Sequence, residues 1–238
     1  MLSVSKKHKS DKVTHHGYER FYDYFLEPFK LDKFNLFEIG IYKEGSLKLW
    51  KEYFSNANIY GMDINEYNKS DYGTIFKGDQ NKKKDLNKII ENIKVAKIII
   101  DDGSHKPEHQ LLSFNHLFKN LLQDGGIYII EDIETSYWKK SNLYGYDIDA
   151  GYNAQNNIVN IFKNIVDIVN REFLLDEHIE YIQKFNKIDC ENLKYISFIM
   201  FGQNCIIIKK MSNEEYNRFG KRKYRFIKCV SIGYCKLW

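Results

Sequence analysis

The chain of 238 residues carries just two prolines and four cysteines, and it has no large excess of one charge. Each scarcity excludes something. The cysteines Cys190, Cys205, Cys229 and Cys235 lie in the last quarter without CxxC spacing. A zinc ribbon and a disulfide-stapled scaffold are therefore not indicated, and reduced packing residues are expected. No stretch approaches the ~20 apolar residues of a membrane helix. Residues 1–8 also lack the apolar centre of a secretory signal, so a soluble, cytoplasmic protein without membrane insertion is expected. Lys and Arg number 36 against 32 Asp and Glu, a formal charge of +4. This mild excess is spread in Lys-rich patches and gives no reason to expect a nucleic-acid partner. Phosphate-binding glycine patterns are missing too. Neither GxGxxG nor Gly-Lys-Ser/Thr occurs, which argues against a dinucleotide fold and against a P-loop.

Against these absences stand two conspicuous runs. Ile98-Ile99-Ile100-Asp101-Asp102-Gly103-Ser104-His105 and Tyr128-Ile129-Ile130-Glu131-Asp132 are apolar, β-branched stretches that each stop in a pair of acids. Both pairs are expected at one edge of a sheet. Four converging carboxylates need a counter-charge, and hard oxygen donors suit Mg²⁺ or a similar cation. His105 stands beside them as a candidate base. One of Asp101 and Asp102 could instead cap the helix beginning near Pro107, which explains one acid and not four.

Strand and helix signals alternate along the chain. Residues 18–29 read as an aromatic helix, 35–39 as a strand, 46–54 as a helix, and 58–62 as a strand ending at Asp63. Strand 74–77, helix 86–93, strand 95–100 and helix 108–122 follow. An Asp124-Gly125-Gly126 turn then leads into strand 127–130. This rhythm predicts an α/β fold with a mostly parallel, doubly wound sheet in one domain, residues 31–238, preceded by an arm and helix, residues 1–30. Residues 158–169 look helical. Residues 178–183, 195–201 and 205–209 suggest closing strands, two of them an antiparallel C-terminal hairpin across Gly202-Gln203-Asn204. Residues 134–157 lack periodicity and read as a substrate lid.

The segment Glu38-Ile39-Gly40-Ile41-Tyr42-Lys43-Glu44-Gly45-Ser46 follows the first strand and opens a helix, so a ligand can approach its backbone. Asp63 is placed to accept from the two hydroxyls of a ribose. Asp79 and Gln80, after Gly78, could read the edge of an adenine. A ribose and an adenine without phosphates indicate S-adenosylmethionine. The plainer reading makes Glu38 and Asp63 caps at strand ends.

Together, Glu38-x-Gly40-x-x-x-x-Gly45-Ser46-Leu47, Asp63, Gly78-Asp79-Gln80, Asp101-Asp102-Gly103-Ser104-His105 and Glu131-Asp132-Ile133-x-Thr135-Ser136-Tyr137-Trp138 resemble the Rossmann-like class I methyltransferases. They are most similar to the metal-dependent sugar O-methyltransferases of macrolide and bacterial glycan biosynthesis. The resemblance covers roughly residues 10–140. It implies a cation held by residues matching Asp102, Glu131 and Asp132, His105 as general base, and Asp101 on the cofactor side. It further implies an N-terminal arm folded over the site, with Lys12 at the methionine carboxylate and His16 or Tyr18 at the substrate. Glu44 departs from the small residue that such loops more often carry before the second glycine.

Tyr137, Trp138 and Tyr144 could stack on a sugar ring, or pack within the lid. His109 has a surface or capping role, and the basic residues 221–225 form a solvated face. The expected reaction is transfer of a methyl group to a sugar hydroxyl, with the sugar free or nucleotide-linked. Other oxygen or nitrogen acceptors, a non-catalytic cofactor-binding module and a hydroxylase stay open at this point, as does homo-oligomer formation.

Overall fold

Period-two alternation with both faces apolar is what a sheet covered on both sides demands, and β4 and β5 show it. Ile98 and Ile100 bury on one face with Ile127 and Ile129, while Ile99 buries on the other with Tyr128 and Ile130. The computed structural model describes residues 7–8, 10–67, 69–141, 147–170, 173–174, 178, 187–220, 227–229 and 233–235. Its elements open with α1 (Asp11–Thr14), α2 (Glu19–Leu26), β1 (Asn35–Ile39), α3 (Gly45–Tyr53), β2 (Asn58–Asp63) and β3 (Thr74–Lys77). They continue with α4 (Lys83–Ile93), β4 (Ala96–Asp101), α5 (Pro107–Asn120), β5 (Leu122–Glu131), β6 (Lys139–Ser141), β7 (Ile148–Asp149) and α6 (Ile158–Val169). The last are α7 (Cys190–Leu193), β8 (Ile196–Gly202), β9 (Cys205–Lys210), α8 (Asn213–Glu215), β10 (Ile227–Cys229) and β11 (Gly233–Cys235).

Seven strands form one sheet in the order β3-β2-β1-β4-β5-β9-β8. Strands β1 to β5 are parallel, β9 runs antiparallel to β5, and β8 runs antiparallel to β9. The strand order reverses between β1 and β4, the crevice where open α/β sheets bind ligands. One face packs against α4, α5 and α6 through residues such as Leu86, Phe114 and Phe162. The other packs against α2 and α3 through Tyr22, Leu47 and Trp50. This is the doubly wound fold with an antiparallel closing hairpin that the sequence predicts.

Three local expectations differ. The Asp124-Gly125-Gly126 segment is no turn before the strand but an irregularity inside β5. Ala96 pairs with Leu122 while Ile98 pairs with Ile127, and Gly125 takes up the excess at φ 72°. The aromatic helix stops at Leu26, and Glu27–Phe29 continues it as a 3₁₀ turn containing Pro28. Proline has no N–H to continue the α-helical ladder. Neither Asp101 nor Asp102 caps α5, whose N-cap is Lys106. The expected strand at 178–183 lies outside the described residues save for His178, as do Tyr144 and residues 221–225. Among the described residues no helix is long and apolar enough to cross a membrane.

Candidate active site

Register aligns the strand ends in one row. Ile39 pairs with Met62 on one side and Asp101 on the other, and Asp101 pairs with Ile130. The next residue along each strand therefore emerges at the same edge, bringing Gly40, Asp63, Asp102 and Glu131 together. Gly40 has φ 84°, and a Cβ there would lie 1.9 Å from the Asp102 carbonyl oxygen. Glycine is thus required where the first loop passes under the acid segment. At Gly45 an added Cβ would meet nothing within 4 Å, so the start of α3 is open.

Neighbouring residues brace this loop. Ser46 Oγ donates to Glu38 Oε2 at 2.6 Å. Asp63 Oδ2 accepts from the Ile41 and Tyr42 amides at 2.9 and 3.2 Å, and its Oδ1 accepts from the Asn65 amide at 2.8 Å. Asp79 accepts from the Asn81 amide and pairs with Lys82 at its partly exposed turn. Gln80, expected to read an adenine edge, is engaged within the protein. Its Nε2 donates to Asp101 at 3.0 Å and lies 3.2 Å from Ser113 Oγ, and its Oε1 accepts from the Ser104 amide. The side chain is a strut that fixes Asp101, whose carboxyl is pushed up to about 6 by burial. His109, expected in a surface or capping role, is partly buried and lies 2.8 Å from Ser104 Oγ.

The acids divide into two groups. Lys12, itself 1% exposed, places its ammonium 2.6 Å from Asp102, 2.5 Å from Glu131 and 3.2 Å from Glu38. Burial works against its charge, but the three carboxylates outweigh that and hold its pKa well above the ordinary lysine value. Glu131 also accepts from the Tyr22 hydroxyl. Burial, with the charges of Asp102 and Glu38 behind it, raises Glu131 above the carboxylate range despite Lys12. Lys12, expected at the methionine carboxylate, is in this structure a buried counter-ion to three of the protein's own carboxylates.

Asp102, His105 and Asp132 form the second group, with one ligand atom from each lying within 4.8 Å of the others. Glu131, expected among the cation ligands, is not one of this set. Successive strand residues point to opposite faces, and Asp132 turns away at φ 51°. His105 is also left-handed, at φ 58°, with its carbonyl accepting from Thr135 Oγ1 at 2.5 Å and its Nε2 lying 3.8 Å from Asp132 Oδ2. Non-glycine residues hold such angles where surrounding structure imposes them, often at functional sites. Burial first, and the charge of Asp102 second, raise the Asp132 carboxyl.

Beside Asp132 opens a cavity of about 470 Å³ lined by His15, His16, Glu134, Tyr137, Gln203 and Asn204, among others. It is within the range of small-molecule sites, roughly 300–1,000 Å³. His16 and Tyr137 line it, and Tyr137 is half exposed. Trp138 is not among the lining residues. Tyr18, the other residue expected at the substrate, is 0% exposed, with its hydroxyl 2.7 Å from Asp132 Oδ1 and its ring stacked between His16 and Tyr22. Gln203 and Asn204 escaped the sequence reading except as turn residues. Asn204 bonds Asp132, a contact spanning 72 positions that no local pattern announces.

No protein-family model matches the chain. Among curated proteins, it is 28% identical over 222 residues to the 8-demethyl-8-alpha-L-rhamnosyl tetracenomycin-C 2'-O-methyltransferase of Streptomyces olivaceus, covering 90% of this chain and 55% of that protein. It is 32% identical over 171 residues to the demethylmacrocin O-methyltransferase of Streptomyces fradiae, covering 68% and 42% respectively. Among solved structures, the MycE methyltransferase of the mycinamycin biosynthetic pathway, in complex with Mg and SAH, superimposes with a TM-score of 0.74 at 26% identity, covering 90% of this chain and 55% of that one. The chain spans about half the length of the curated relatives it matches. It shares the methyltransferase fold of these proteins, and its named relatives are O-methyltransferases.

Proposed function

We propose that this chain, built on the methyltransferase fold, transfers the methyl group of S-adenosylmethionine to a sugar hydroxyl beside a bound divalent cation. The observation that carries the reading is one sheet edge where a glycine loop, open at the start of α3, meets the carboxylates of Asp102 and Asp132 and the imidazole of His105. The named activities of the relatives, and the Mg and SAH held by MycE, support it.

The residues fit both groups. Gly40 and Gly45 leave the backbone approachable, Ser46 holds Glu38 at the loop, and Asp63 and Asp79 stand at the ends of β2 and β3. Those six residues and Asp101 would frame the cofactor, with Asp63 exchanging its Asn65 contact for ribose hydroxyls. S-adenosylmethionine supplies a sulfonium methyl that an aligned oxygen can displace. Asp102 and Asp132 offer hard oxygen donors of the kind a Mg²⁺-class ion takes, close enough together for one ion to reach both. Such an ion lowers the pKa of a hydroxyl. His105 Nε2 accepts the hydroxyl proton, and Asp132, 3.8 Å away, stabilises the imidazolium formed. The buried side chains of Lys12, Tyr18 and Tyr22 exclude water from the rear of the site.

The cavity beside Asp132 would seat the acceptor. Among the described residues its lining offers imidazoles, amides, a carboxylate and the exposed ring of Tyr137 and no Lys or Arg, while the Arg20 guanidinium beside it is taken up by Gln203 Oε1 and the Gly17 and His16 carbonyls. Hydroxyl-rich rings with an apolar CH face match such a surface. A diphosphate does not, which favours a neutral glycosyl unit over a nucleotide-linked one.

Labelled methyl transfer to paired neutral and nucleotide-linked forms of one sugar, with Mg²⁺ or with chelator, tests the reading. Expected are transfer to the neutral form, loss with chelator, and a fall of about 10²-fold or more in His105→Ala. Chelator-insensitive transfer unaffected by His105→Ala would overturn it.

A further inference from the structure

The turn between β8 and β9 reaches into the acid site with more than its backbone. Asn204 sits there at φ 61°, an angle that glycine, asparagine and aspartate all tolerate, so the turn alone does not explain the side chain. Both ends of its carboxamide are engaged. Nδ2 donates to Asp132 Oδ1 at 2.9 Å, and Oδ1 accepts from the Glu134 amide at 2.9 Å. Its backbone carbonyl accepts from the Ile133 amide at 3.4 Å. One residue of the closing hairpin thus grips three successive residues, 132 to 134, just beyond the strand that β9 pairs with.

The consequence falls on Asp132. Its Oδ1 is held by the Tyr18 hydroxyl and by Asn204, with His16 Nδ1 3.6 Å away, while Oδ2 faces His105. A carboxylate tied down through one oxygen presents the other in a fixed direction. The carboxamide donates to Asp132 through its nitrogen and accepts from the Glu134 amide through its oxygen, so both contacts come from one planar group. We infer that Asn204 is a positioning residue for the cation site, orienting Asp132 from the closing hairpin. This rests on the reading of Asp132 as a cation ligand.

Asn204→Gly is the appropriate variant, because glycine keeps the left-handed turn while removing the carboxamide. Mn²⁺ is titrated into wild type and variant, and S-adenosylhomocysteine affinity and melting temperature are measured on both. Expected are Mn²⁺ binding about 10-fold weaker or more in the variant, with cofactor-product affinity within about twofold and the melting temperature preserved. Asn204→Asp keeps the shape and the bond from Glu134 but cannot donate to an ionised Asp132, and it is expected not to restore affinity. Wild-type Mn²⁺ affinity in either variant overturns the inference, as does a loss that follows a fall in melting temperature. If wild type binds S-adenosylhomocysteine but no Mn²⁺, the cation reading itself fails and takes the inference with it, leaving the methyltransferase pocket intact.

Discussion

Replacing Lys12 with Met tests how the N-terminal segment is held. Met keeps most of the side-chain volume and removes an ammonium that lies 2.5 to 3.2 Å from three carboxylates. Breaking a buried ion pair by removing one partner costs about 3–5 kcal/mol, because the remaining charge is left uncompensated. For a chain of this size each kcal/mol corresponds to about 2–4 °C, so the lower bound predicts a melting temperature reduced by about 6–12 °C. The loss should depend on pH with a definite sign. Burial already raises both Glu131 and Glu38, and losing Lys12 raises them further. An acid with a raised folded-state pKa stabilises the fold below its unfolded pKa, and that contribution disappears as pH rises through the folded value. The deficit of Lys12→Met is therefore greatest near pH 8 and shrinks toward pH 5. Thermal melts across that range, with limited proteolysis between α1 and α2, measure both effects. A variant as stable as wild type at pH 8, and no more readily cleaved, would refute the counter-ion account.

Gly40→Ala would place a methyl 1.9 Å from the Asp102 carbonyl oxygen at a φ unfavourable to alanine. It is expected to destabilise the fold by more than about 2 kcal/mol and to abolish S-adenosylhomocysteine binding in titration; wild-type affinity would remove the glycine loop from the cofactor site. Asp101, fully buried with its carboxyl near 6, costs stability as pH rises from about 4 through that value, about 3 kcal/mol in all. Asp101→Asn should flatten this pH dependence, as urea unfolding at pH 5 and pH 7.5 would show; an unchanged slope would contradict the assignment. Burial pushes the Cys205 thiol up to about 12, so alkylation at pH 8 followed by peptide mass analysis should find it unmodified until the protein unfolds.

The sheet edge was legible because apolar alternation ends abruptly at Asp101 and Glu131, and parallel strands carry such endings to the same side. The glycine requirement at Gly40 was legible in kind, though its partner, the Asp102 carbonyl, was not. Adjacent acids at 131 and 132 could not be assigned from sequence. Strand geometry separates them, and the left-handed turn at Asp132 sends one to Lys12 and the other to His105. Lys12 and Tyr18 were placed near the site by resemblance, but their burial depends on an arm that meets β4 and β5 across 90 or more positions. Asn204 carried no signal beyond its turn, because its contact with Asp132 exists only once β9 has paired with β5.

Calorimetric titration of S-adenosylhomocysteine into the purified protein, with and without Mg²⁺, tests the central claim most directly. The methyltransferase account predicts micromolar binding at one site. Absence of heat under both conditions, with the protein shown to be folded, would contradict it and leave an α/β domain whose acid cluster serves some other chemistry.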